Sequence, residues 1–355
     1  MRDLLDPVHR WAGALVGLAI AAAGLSGVLL LWQRWWILLP GVRDVPVLGP
    51  TAVAALLDKA DGMGARNIVL PSADFGLARV GLGDGAGAYL AADAVVVAQW
   101  RSPFERPETW LFELHHSLLM GDTGTVLAGL FSLLGLAFVV SGVILWWPLR
   151  RQLKLQLLPA RMTRPAIVRH HRNLGVLATP LLVVTMLTGS MMALRPVSAF
   201  LLGPLSAAPE VAAFTMETPF VPTAGPRAPW LELVTAGDMA FPDASLRIVS
   251  FPKNAQSPIT LRYRQPAEWH SNGRSQVRLD PVRAAVLDKR DALAAPRALQ
   301  ADYKVYPLHA GRVGGLAWRL ALSFAGLALF MLGSFTFWSF WQRRLTTLAQ
   351  RAVTG

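Results

Sequence analysis

The chain has no cysteine in its 355 residues. That absence removes disulfides, thiolate-held iron–sulfur clusters, Cys-x-x-Cys redox chemistry and covalent c-type haem attachment. Charge is scarce as well: 16% of residues are Asp, Glu, Lys or Arg, against 53% hydrophobic, and mean hydropathy is positive. This balance lies outside the range of soluble globular domains and places the chain in a bilayer. No Walker sequence, G-x-S-x-G elbow or H-E-x-x-H string occurs, so hydrolytic chemistry has no sequence support. Gly81-x-Gly83-x-x-Ala86 imitates a dinucleotide fingerprint, but it lies between two strand-like runs with no helix following, and reads as a hairpin turn.

What is present is a set of four long apolar stretches, Trp11 to Trp32, Val126 to Trp147, Asn173 to Leu194 and Ala317 to Trp338. Each has the roughly 20 residues needed to cross a hydrocarbon core. The first follows Met1-Arg2 and contains Ala21-Ala22-Ala23, but it is too long for a signal-peptide core and reads as a retained helix. Between the second and third stretches stand Arg150, Arg151, Lys154, Arg161, Arg164, Arg169 and Arg172, with no acid from Pro148 to Arg172. The positive-inside rule makes that loop cytoplasmic. Arg2 and Arg10 at the start, with Arg343, Arg344 and Arg351 at the end, agree, so both termini are expected inside. The formal +12 charge is then largely topological, and nucleic acid is not an expected partner. Trp32, Trp35 and Trp36 outside, and Trp146, Trp147, Trp338 and Trp341 inside, fit interfacial belts.

The sequence reads as two copies of helix, external domain, helix. Residues 1–32, 126–147, 173–194 and 317–341 are the expected membrane helices, 148–172 the basic loop and 342–355 a cytoplasmic tail. Residues 33–125 and 195–316 form external α+β modules. Thr51 to Ala60 is helical in pattern, and Ala78 to Leu82 and Tyr89 to Val97 are strand-like. In the second module Trp230 to Met239 is followed by strand-like Leu246 to Phe251, Ile259 to Arg264 and Gln276 to Leu279.

Histidines mark the repeat. His9-Arg10-Trp11-Ala12-Gly13 opens the first apolar run and His171-Arg172-Asn173-Leu174-Gly175 the third. The offset of 162 that superimposes His9 on His171 also superimposes Gly13 on Gly175 and Gly27 on Gly189. Leu114-His115 precedes the second run and Leu308-His309 the fourth. Neutral imidazole is a common metal ligand and an axial ligand of haem iron. Two six-coordinate haems need four histidines paired at equal depth, which the topology supplies as His9 with His171 on the cytoplasmic side and His115 with His309 on the outer side. Gly13 and Gly175, one turn beyond their histidines, leave space for a flat macrocycle, and Arg10 and Arg172 are placed to pair with its carboxylates. With cysteine absent, the haems are noncovalent. His116 and His170 adjoin the preferred residues and stand as alternates. His270, beside Trp269, reads as a surface residue or substrate contact.

The strings His9-Arg-Trp-Ala-Gly, Glu113-Leu-His-His-Ser-Leu-Leu-Met-Gly-Asp-Thr-Gly124, Ser141-Gly-Val-Ile-Leu-Trp-Trp-Pro148 and Leu308-His-Ala-Gly-Arg312 resemble the PepSY-associated transmembrane helix family over nearly the whole chain. His116 departs from the arginine that often follows the motif histidine. The resemblance implies PepSY-like external modules, with Asp93 and Asp280-Pro281 near the ends of their sheets, and two b-type haems. It also implies a bacterial inner-membrane reductase that passes electrons to a periplasmic ferric siderophore and releases Fe(II). No nicotinamide or flavin domain is visible, so the electron donor is a membrane quinol or a cytoplasmic reductase. Arg247, Lys253, Arg262, Arg264, Arg274, Arg278 and Arg283 in the second external segment are either an attraction for an anionic chelate or a solvated sheet face. The competing reading is a non-enzymatic PepSY membrane protein that binds or regulates an envelope partner. A transporter is weaker, because the helices lack a central array of acids or broken segments.

Overall fold

The computed structural model describes residues 2–153, 158–252 and 257–354. Lys154 and Lys253 lie outside the described residues, as do the side chains of Arg2, Arg343 and Arg351. In chain order the helices and strands begin with α1 (Arg2–Leu31), α2 (Gln33–Trp36), α3 (Pro50–Gly62), β1 (Asn67–Val69), β2 (Ala78–Gly83), β3 (Ala86–Leu90) and β4 (Val96–Trp100). Then come α4 (Pro107–Ser117), α5 (Gly121–Trp146), α6 (Arg164–Ala193), α7 (Arg195–Leu202), α8 (Ala208–Thr215) and α9 (Trp230–Ala240). The last are β5 (Ser245–Ser250), β6 (Ile259–Arg264), β7 (Ser275–Leu279), β8 (Val286–Arg290), α10 (Arg297–His309) and α11 (Gly315–Thr354). The chain divides into a helical unit, residues 1–31, 111–198 and 308–355, and a sheet unit, residues 32–110 and 199–307.

In the helical unit, α1, α5, α6 and α11 are each long and apolar enough to cross a membrane, and a helix satisfies every backbone group internally, as hydrocarbon requires. The chain is a multi-pass membrane protein. The helices run past the apolar stretches that mark them in the sequence: α6 begins at Arg164 rather than Asn173, and α11 continues to Thr354. Polar residues extend a helix once its apolar part has nucleated it. Much of the segment expected as a basic loop, and the expected tail, are therefore helical.

Glycine sets the contact between α1 and α11. A Cβ built on Gly24 would stand 2.6 Å from the Gly326 carbonyl oxygen, and one on Gly17 would stand 3.2 Å from that of Gly333. These positions are two turns apart on α1 and on α11, so they form one small-residue seam that brings the backbones together. On another face of α11, Ala325, Ala328 and Leu332 pack against Leu174, Ala178 and Leu182 of α6.

The sheet unit holds one antiparallel sheet of eight strands in the order β4-β3-β2-β1-β5-β6-β7-β8. Strands from the two external segments meet where β1 pairs with β5, Ile68 opposite Val249, so the two expected modules share a single sheet. Period-two alternation explains its buried face: Ile259, Leu261 and Tyr263 of β6 are fully buried, and α3 and α9 supply Leu56, Leu57, Trp230 and Leu233 to the same core. The same succession of helix, four strands and histidine-bearing helix runs from Pro50 to Ser117 and again from Trp230 to His309. The glycine run is the β2–β3 hairpin, as its composition suggests. Gly83, Asp84 and Gly85 there take φ of 96°, 53° and 80°, a left-handed turn that only glycine and short polar residues adopt readily.

Candidate cofactor-binding site

His9 lies in the third turn of α1 and His171 in the third turn of α6, so both sit inside their helices rather than at the helix starts. Their rings face each other across the helical unit with centroids 6.1 Å apart. His115 and His309 are carried by the short helices α4 and α10, not by the membrane helices that follow. Their ring centroids are 6.0 Å apart. Two imidazole nitrogens on opposite sides of one metal ion, at about 2 Å each, put the ring centres roughly 6 Å apart. Both pairs therefore have the spacing of a two-histidine axial set.

Each ring is held through Nδ1. His9 Nδ1 is 2.7 Å from Ser141 Oγ on α5, and His171 Nδ1 is 3.0 Å from Thr336 Oγ1 on α11. His115 Nδ1 donates to the Ala23 carbonyl at 2.9 Å, with Ser26 Oγ at 3.2 Å. His309 Nδ1 is 3.0 Å from Thr188 Oγ1. A carbonyl only accepts, so His115 carries its proton on Nδ1 and leaves the Nε2 lone pair for a metal. Burial holds His115 below the usual imidazole value, and burial with the neighbouring His115 brings His309 down to about 4. Both rings are neutral at physiological pH, the form that ligates.

The glycines make the room. Gly27 lies against His115, where a Cβ would come within 3.0 Å of Cε1, and Gly189 lies against His309, where it would come within 3.2 Å. Around His9 and His171 a cavity of about 1020 Å³ opens, lined by Gly13, Gly135, Gly142 and Gly175 among others. A Cβ on Gly175 would meet nothing within 4 Å. This open cradle beside two facing imidazoles is the shape that a flat macrocycle requires.

Arg10, Arg172 and Arg344 also line the cavity. Arg10 is exposed and 3.4 Å from Asp6, Arg172 has a buried Nε without a partner, and Arg344 stacks on Trp11 at 4.1 Å. The alternates stand apart from the pairs: His116 is exposed and stacks on Phe112 at 5.3 Å, while His170 is buried beside Phe335. Trp35, Trp147 and Trp338 are exposed as belt residues should be. Trp146 and Trp341, expected in the belt, instead line the cavity, and the Trp341 indole donates to the Ala14 carbonyl at 3.1 Å.

In the sheet unit two readings need correction. His270 is not a surface residue: it is buried, stacks on Tyr306 at 4.8 Å and accepts the Asn272 N–H at 3.1 Å. The basic residues do not form one exposed patch, since Arg247 is buried with its guanidinium on the Pro71 and Leu70 carbonyls, and Arg278 is buried against Asp288. Asp93 and Asp280 accept backbone N–H groups in the turns before β4 and β8, a structural role.

The residues missed in the sequence are the four hydroxyls. A signal was present: Ser26-Gly27 and Thr188-Gly189 share the 162-residue offset of the histidines, and Ser141-Gly142 repeats the pairing.

A search of characterised proteins finds no match to this chain. The family model described as PepSY-associated TM region matches residues 7–343, nearly the whole length. The chain belongs to the PepSY-associated transmembrane family.

Proposed function

We propose that this protein is a dihaem reductase of the bacterial inner membrane that passes electrons to a ferric siderophore in the periplasm and releases Fe(II). One observation carries the reading: two facing histidine pairs, 6.1 and 6.0 Å between ring centres, at two depths of one bundle. His9 and His171 hold one b-type haem, His115 and His309 the other, and the Nδ1 hydrogen bonds fix the ring orientations. Arg10 and Arg172 line the cavity wall and would pair with the carboxylates of a group held there. Bound there, two haems would supply one-electron redox centres at two depths of the bundle.

The depths support a conduit. Ser26, beside His115, follows His9 by 17 residues on α1, and Thr188, beside His309, follows His171 by 17 on α6. At about 1.5 Å per residue each interval is about 26 Å, which is less than the roughly 30 Å of a hydrocarbon core. The equal intervals also support a twofold internal repeat of helix, external module and histidine helix. The arginine-rich segment between α5 and α6 orients the His9/His171 end, and both termini, toward the cytoplasm. The donor is a quinol or a cytoplasmic reductase, because the chain carries no nicotinamide or flavin motif. Reduction of Fe(III) to Fe(II) weakens its hold on hard oxygen ligands, so electron delivery frees the metal.

The test is reconstitution in liposomes with a reductant on the His9/His171 side, ferric chelates on the other and an Fe(II) trap. Fe(II) formation that depends on haem loading supports the reading. A haem-loaded protein that reduces no ferric chelate overturns it.

A further inference from the structure

The four hydroxyl partners look equivalent, but their surroundings differ. His115 Nδ1 has the Ala23 carbonyl at 2.9 Å in addition to Ser26. His171 Nδ1 lies 3.0 Å from Thr336 Oγ1, and His309 Nδ1 lies 3.0 Å from Thr188 Oγ1. His115 therefore has a backbone acceptor that no side-chain substitution removes. His9 has none: among the described residues its Nδ1 meets Ser141 Oγ alone, at 2.7 Å.

The direction of that bond follows from the serine. Ser141 Oγ donates to the Ala137 carbonyl at 2.7 Å, one turn back on α5. Its proton is committed there, so the hydroxyl oxygen accepts from His9 Nδ1–H. The result is a relay from imidazole to hydroxyl to helix carbonyl, in which each bond polarises the next. It fixes the tautomer with Nε2 bare, and it pushes electron density onto the ring, which raises the basicity of Nε2 as a ligand. Gly142 completes the seat, since a Cβ there would lie 3.8 Å from His9 Cε1.

We propose that Ser141 is an indispensable positioning residue: it sets the tautomer, orientation and donor strength of His9, and through His9 the redox poise of the inner haem. Ser26 is backed by the Ala23 carbonyl and is dispensable for His115. This inference rests on the dihaem reading.

The consequence is an asymmetry that only the purified, haem-loaded full chain reveals. Ser141→Val and Ser141→Thr have nearly the same volume and differ in the hydroxyl. In a redox titration followed in the haem absorption bands, Ser141→Val raises the midpoint of one of the two components, because a weaker donor stabilises the ferric form less. Ser141→Thr leaves both midpoints in place, and so does Ser26→Val. If Ser141→Val loses one haem outright while Ser141→Thr retains two, the proposal also stands. It is overturned if Ser141→Val titrates like the parent, if Ser26→Val moves a component as far, or if both Ser141 variants lose the same haem. A parent protein without haem removes the dihaem reading and this inference with it, and a haem-loaded parent with an unaltered Ser141→Val removes the inference alone.

Discussion

Gly175 separates the needs of the bundle from the needs of the cofactor. It lies in the middle of α6, and a Cβ there would meet nothing within 4 Å. In a helix interior, glycine costs about 1 kcal/mol relative to alanine or leucine, and the empty space adds no steric penalty in the protein alone. Gly175→Leu is therefore expected to stabilise the haem-free bundle by about 1 kcal/mol. The same side chain enters the cradle between His9 and His171. If that space is the macrocycle's, overpacking costs about 1–3 kcal/mol, which lowers affinity at the inner site by roughly 5- to 150-fold. The two effects have opposite sign. Denaturant unfolding of the haem-free protein in detergent reads the first, and the rate of haem transfer to an excess of a haem acceptor reads the second. One haem per chain should leave faster while the other keeps the parental rate. Unchanged release of both haems from Gly175→Leu would refute the assignment of the cradle.

Three further outcomes follow from the same geometry. His116→Ala and His170→Ala should each keep both haems by pyridine haemochrome assay, because His116 stacks on Phe112 and His170 on Phe335, away from the facing pairs. Loss of a haem in either would reassign a ligand. Gly24→Leu should destabilise the bundle by about 1–3 kcal/mol or more, since even a Cβ would stand 2.6 Å from the Gly326 carbonyl; a parental unfolding midpoint would argue against the α1–α11 seam. In the sheet unit, burial pushes Asp280 and Asp288 up, but hydrogen bonds from Thr223, Val282 and Arg283 to the first, and from Thr218 and Arg278 to the second, hold both below the usual aspartate range. A carboxyl depressed on folding adds stability above its unfolded value and loses it as pH falls through its folded value. Tryptophan-monitored unfolding of the full chain should weaken below about pH 4, and Asp280→Asn with Asp288→Asn should flatten that acid limb.

Much of this architecture was legible in the residues. A run of some 20 apolar side chains has few structural fates, so the four membrane helices follow from hydropathy, and the 162-residue register alone pairs His9 with His171. The helix ends were not legible, because the arginines before His171 carry no apolar signal yet continue α6. Helices α4 and α10 were also missed, since they are short and polar enough to pass for loop. This is why His115 and His309 looked like residues at the mouths of the next helices. The hydroxyl partners come from other helices, across as many as 165 residues for Thr336 and His171, and no local pattern encodes such a contact. The burial of His270 and Arg247 is of the same kind: β-sheet register and a neighbouring carbonyl decide it, not the residue type.

The pairing of His9 with His171 and of His115 with His309 as two ligand sets has a direct readout. It is tested most directly by haem stoichiometry with reduced-minus-oxidised absorption spectra on the purified protein and its four single His→Ala variants, expressed with haem in excess. The parent should show b-type bands and two haems per chain, His9→Ala and His171→Ala should lose one of them, and His115→Ala and His309→Ala should lose the other. A colourless parent protein, or four variants with unchanged haem content, would contradict it.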